Sequence, residues 1–130
     1  MGRSRRPVTR DVDLVEVDDL RRGTARAALG FTASDGTPTV EPVMVAADGD
    51  RHLAGLAATA SNRPHDGQEV VLLVDDGIWF FDLRALYVRG HATAAPAPRD
   101  AVPGLDWIEV VPTRTVAWDY GRMREVDDAT

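Results

Sequence analysis

Thr59, Ser61, Asn62 and Arg63 fall in one five-residue stretch directly after an apolar run, with Gly55 just upstream. Two hydroxyls, an amide and a guanidinium at a strand-to-loop corner supply the donors that a phosphate group accepts from. The same residues also describe a plain polar loop. A second cluster is Trp118-Asp119-Tyr120-Gly121-Arg122-Met123-Arg124. Two aromatics and two arginines this close can stack on and neutralise a flat anionic ligand. They can equally anchor a subunit contact. A ligand site between subunits would satisfy both readings.

Other chemistries are poorly represented. The sequence holds no G-x-G-x-x-G, no Walker loop, no G-x-S-x-G and no H-E-x-x-H. His52, His65 and His91 stand far apart, none with a carboxylate or second histidine at metal-ligand spacing. His91 alternates with Arg89 and Tyr87, which makes a surface imidazole the simplest reading. Asp18-Asp19, Asp75-Asp76 and Asp127-Asp128 sit at turns or element ends and read as solvated turn residues, not as acid–base dyads. No metal site is expected.

Two absent residue types narrow the field further. All 15 basic side chains are Arg, so Schiff-base and Walker lysines are ruled out. Cys is absent, which removes disulfides and thiolate catalysis and fits a reducing cytoplasm. Arg3, Arg5, Arg6 and Arg10 crowd the first ten residues, which read as a disordered basic leader (residues 1–10). Without it, 11 basic side chains face 21 acidic ones. So acidic a body repels a phosphate backbone, and neither a nucleic-acid partner nor a membrane is expected. No apolar run approaches the ~20 residues of a spanning helix.

At 130 residues the chain suits one domain, taken as 11–130. Val12–Leu20 suggests a short helix, since Asp13 and Glu16 could form a capping box, although its valines favour strand. Beyond it the pattern is β-sheet: Ala25–Thr32, Val40–Ala46, Arg51–Leu56, Val70–Val74, Ile78–Phe81, Ala85–Ala94 and Trp107–Ala117 are short runs bounded by turn residues. Asp35-Gly36, Asp48-Gly49 and Asp76-Gly77 each separate two runs and predict three antiparallel hairpins. Ala85–Ala94 alternates, with Leu86, Val88, Gly90, Ala92 and Ala94 dry and Tyr87, Arg89, His91 and Thr93 wet. Val70–Val74 is apolar on both faces, so it is either central or covered by another subunit. Ala58–Gly67 reads as a loop or a single helical turn, and Ala95–Gly104, with three prolines, as irregular. Mainly β, with six or seven antiparallel strands and one or two short helices, the chain predicts a closed or partly closed barrel.

In this order the residues resemble the pyridoxamine 5'-phosphate oxidase-like superfamily of flavin-binding split β-barrels. Gly30-Phe31-Thr32-Ala33-Ser34-Asp35-Gly36-Thr37-Pro38 leading to Glu41-Pro42-Val43 is similar to its opening hairpin. Phe81–Ala92 resembles its long strand with an R-G-x-A element, and Ile108–Asp119 its final strand with P-x-R-x-x-x-W-D. The resemblance spans about Leu20 to Arg124. It implies a homodimer with FMN or the deazaflavin coenzyme (factor 420) in grooves between subunits, and a small-molecule substrate. Pro42, Val43 and Met44 would lie along the isoalloxazine ring. Thr59, Ser61, Asn62 and Arg63 would fall at the phosphate, with Trp118 and Arg122 reaching the site from the partner chain.

One departure weighs on the cofactor. Family members follow this strand with a helix bearing a basic pair, whereas Ser61–Gly67 is short, has a single Arg and is broken by Pro64. Each lost charge-assisted contact is worth about 1.5–3 kcal/mol. Two functions therefore follow. One is a flavin- or deazaflavin-dependent oxidoreductase needing no protein nucleophile. The other is a non-catalytic split-barrel dimer that has lost its cofactor and serves as a binding or interaction module.

Overall fold

Asp-Gly turns set the frame. The computed structural model describes residues 8–9, 11–12, 18–20, 26–76, 84–119 and 124–125. Strand β3 (Arg26–Thr32) turns at Ser34-Asp35-Gly36 into β4 (Pro38–Asp48). Gly36 takes a φ of 86°, its amide donates to the Ala33 carbonyl at 2.9 Å, and the Asp35 carboxylate accepts from the Thr37 amide at 2.9 Å. These hydrogen bonds with Thr37 hold the Asp35 carboxyl below its ordinary pKa. A two-residue turn then joins β4 to β5 (Arg51–Ala57), with Gly49 at its first central position and a φ of 60°. Positive φ there matches the twist of the flanking strands.

The chain continues through β6 (Glu69–Asp75), β7 (Arg84–Ala94) and β8 (Leu105–Asp119). The ladder runs β8-β5-β4-β3-β6-β7, and β7 pairs again with β8. This makes a closed, six-stranded antiparallel barrel, as expected, in which β4 passes from β3 to β5 between Val43 and Met44. Ile108, Glu109 and Val110 pair with β5 on one side and β7 on the other, locking the ring. Alternation fills the interior with Leu29, Phe31, Ala54, Leu56, Val70, Leu72, Val74, Leu86, Val88 and Val110. The β7 pattern follows the expected alternation except at Ala94, which is exposed where the strand leaves the barrel.

Short pairs decorate the ring: β1 (Val8–Thr9) with β9 (Arg124–Glu125), and β2 (Asp11–Val12) with β8. The helix expected over Val12–Leu20 gives way at both described ends. Val12 is a strand residue opposite Ala117, and Asp18–Leu20 is a single 3-10 turn. Residues 13–17, with the Asp13 and Glu16 of the expected capping box, lie outside the described residues. Leu20 seals the core from that turn, which is fixed from outside by Arg84. The Arg84 guanidinium donates to both Asp19 carboxylate oxygens at 3.0 and 2.8 Å and to Asp76 at 2.5 Å. Those Arg84 hydrogen bonds hold the Asp19 carboxyl below its ordinary pKa. The expected Ile78–Phe81 strand, Gly77 of the third hairpin and residues 1–7 and Arg10 of the basic leader lie outside the described residues. No helix among the described residues is long and apolar enough to cross a membrane.

Candidate functional site

Pro42, Val43 and Met44 sit where β4 changes partners. Residues up to Val43 pair with β3, and those from Met44 onward pair with β5. A proline has no amide to donate, so it suits a position with one open side. Val43 packs on the core, while Pro42 and Met44 face outward and Met44 is 48% exposed. The sheet thus parts over an apolar strand segment, a surface able to receive a flat ring.

The loop after β5 carries the expected phosphate donors. Thr59 and Ser61 are exposed and Asn62 is half-buried. Arg63, however, is engaged. Its guanidinium donates to the Asp106 carboxylate at 2.5 Å and to the carbonyls of Ala58 at 3.1 Å and Ala57 at 3.3 Å. It ties the loop to the start of β8 (the Ala58 amide also donates to the Gly104 carbonyl at 2.9 Å). Further along, Gln68 donates to the Thr32 carbonyl at 2.5 Å and accepts from the His65 amide at 3.0 Å. His52 is buried in the wall opposite Val110, whereas His65 and His91 are exposed.

Trp118 lies far along β8 from this corner. It stands opposite Ala85, twelve residues beyond Asp106, roughly 40 Å of strand. Within one protomer Trp118 neighbours β7, whereas Arg63 neighbours the start of β8. The indole Nε1 of Trp118 is buried with no hydrogen-bond partner among the described residues, a donor of the kind that costs about 1–3 kcal/mol when left unmet. Arg122 lies outside the described residues.

Two features emerge only from the strand register. Pro42, Ala28, Leu73, Tyr87 and Val116 stand opposite one another in a continuous apolar row across β4, β3, β6, β7 and β8. The row lies on the outer face, where Leu73 is 38% exposed. Beside it runs a second row, Val40, Gly30, Val71, Arg89 and Arg114. The apolar character of both faces of Val70–Val74 was the one local trace of these rows. Strand β6 is central, between β3 and β7, and its second face is the outer one.

No protein-family model and no curated protein matches the chain. Solved structures do. A structure described as the FAD-binding protein from Mycobacterium smegmatis superposes with a TM-score of 0.65 at 18% identity, over 89% of this chain and 99% of that one. A conserved hypothetical protein from Mycobacterium tuberculosis gives 0.65 at 17% identity, over 84% and 86%. A protein provisionally named pyridoxamine 5'-phosphate oxidase, from Corynebacterium glutamicum, gives 0.59 at 13% identity, over 92% and 100%. At such identities the likeness establishes the fold, which is the split barrel of the pyridoxamine 5'-phosphate oxidase type.

Proposed function

We propose that the chain is a flavin- or deazaflavin-binding oxidoreductase that works as a homodimer in the cytoplasm on a small-molecule substrate. The observation that carries this reading is the parting of the sheet at Pro42–Met44, an exposed apolar strand segment at the corner of a split barrel. The resemblance to a protein described as FAD-binding supports it. FMN or the deazaflavin coenzyme would supply the hydride chemistry. The chain's own residues would bind and orient it. Pro42 and Met44 offer the apolar bed, with Val43 packed on the core beneath them, and Thr59, Ser61 and Asn62 offer polar groups. Trp118 and Arg122 of a second copy would complete the crevice.

A second copy would seat on the apolar row through Ala28, Leu73 and Tyr87. Contiguous apolar surface of this kind marks contact sites in proteins.

The state of Arg63 favours a second reading, a split-barrel dimer without cofactor that acts as a binding module. A guanidinium already spent on Asp106 and two carbonyls has little left for a phosphate. Titration decides between the two. Purified protein should quench the fluorescence of added FMN or deazaflavin saturably, with one site per protomer. Colourless protein that leaves both fluorophores unquenched would eliminate the oxidoreductase.

A further inference from the structure

Arg89 and Arg114 stand directly opposite each other on β7 and β8. Side chains so placed share a face at close range, and like charges there repel. Among the described residues their sole carboxylate neighbour is Glu69, 3.6 Å from the Arg89 Nε, with a side chain 64% exposed. The cluster of two guanidiniums and one carboxylate keeps a net positive charge within an otherwise acidic body. Arg89 also lies over the Tyr87 ring, 6.0 Å from its centroid, which orients its guanidinium.

The backbone holds this pair deliberately. The β7–β8 register shifts between Arg89 and Gly90, so Thr113 is an extra residue on β8, and its hydroxyl donates to the Arg89 carbonyl at 3.1 Å. Bulges re-aim side chains and recur beside binding sites. Next to the pair, along the same row, a groove of about 490 Å³ opens over Gly30, with Val40, Val71, Thr32 and Pro38 on its walls and Glu69 on its rim. That volume is within the range of small-molecule sites. Packing does not force the glycine floor. A Cβ on Gly30 would meet the Thr39 and Val71 carbonyl oxygens at an ordinary 3.9 Å.

We infer that Arg89 and Arg114 form an anion site for the phosphate of a small organic ligand whose apolar part lies in the groove over Gly30. Paired guanidiniums match phosphate oxygens in geometry and charge, and a dianion between them turns their repulsion into attraction. The site is independent of the flavin reading and of the Arg63 corner. It lies one row, about 7 Å along the strands, from the apolar band.

Phenyl phosphate and inorganic phosphate are the probes, with binding followed by thermal shift and by broadening of the ligand's phosphorus resonance, in flavin-free protein. Wild type should bind phenyl phosphate saturably and more tightly than inorganic phosphate. Arg114→Gln and Arg89→Gln should each weaken both ligands at least ~10-fold, the loss expected for a charge-assisted contact. In phosphate-free buffer the same variants should melt no lower than wild type, because they relieve a like-charge pair. Glu69→Gln should tighten binding severalfold. Gly30→Val should remove the advantage of phenyl phosphate and leave inorganic phosphate unchanged. Arg99→Gln, on an exposed loop, should change nothing. Absence of saturable binding to wild type, or equal binding by Arg114→Gln, would overturn the inference. Failure of flavin titration would leave it standing.

Discussion

At the scale of single residues, Arg63 shows how far side-chain type can mislead without its partners. In sequence it is the one cation in a polar loop after a strand, and a phosphate ligand is a natural reading. In the fold it bridges Asp106 and the carbonyls of Ala57 and Ala58. Asp106 is distant in sequence, and no local pattern announces it. Arg63→Ala should therefore lower stability by about 1 kcal/mol, since the ion pair is largely solvated but two carbonyls lose a donor. A drop of roughly 3–5 °C in Tm would express it. A variant with unchanged Tm and weakened FMN binding would return Arg63 to the phosphate. Pro42 enters through the resemblance alone, and its open side at the change of partners along β4 shows only in the register.

At the scale of elements, local chemistry carried most of the information. Asp35-Gly36 and Asp48-Gly49 turned as expected, and strands β3 to β8 lie within a few residues of the apolar runs that predicted them. What stayed hidden was register. Nothing in Ala85–Ala94 or Trp107–Ala117 says that Arg89 will oppose Arg114, because one inserted residue at Thr113 sets the match. Pro112 stands opposite Gly90 at that bulge, a place where a missing amide is tolerated. The alternation of β7 put Gly90 on the dry side without saying why it is glycine. A Cβ there would overlap the Val111 carbonyl oxygen and come within 2.7 Å of its carbon. Backbone cannot swing aside as a side chain can. Gly90→Ala should cost about 2–3 kcal/mol. Urea unfolding would read this as a lower midpoint with the slope unchanged.

At the scale of the whole molecule, closure was foreseeable, since six strands with short connections avoid bare edges by forming a ring. The outer surface was not. Five apolar residues from five strands align only after folding, and each alone would pass as an ordinary exposed hydrophobe. Leu73 sits in the middle of that row, flanked by Ala28 and Tyr87. If a second copy seats there, Leu73→Asp should yield a monomer by light scattering while keeping the circular dichroism of the wild type. A wild type already monomeric at micromolar concentration would remove the shared crevice from the proposed oxidoreductase.

The double pairing of Ile108–Val110 also bears on how the molecule assembles. The ring closes only when that segment pairs with both flanking strands, and β5 is distant from it in sequence. Such non-local pairing slows folding toward the millisecond-to-second range. Until it docks, the nascent sheet carries two raw borders and an uncovered interior, the conditions under which chains cross-pair and precipitate. Refolding yield should then depend on protein concentration more steeply than final stability does, with the last ladder acting as the clasp.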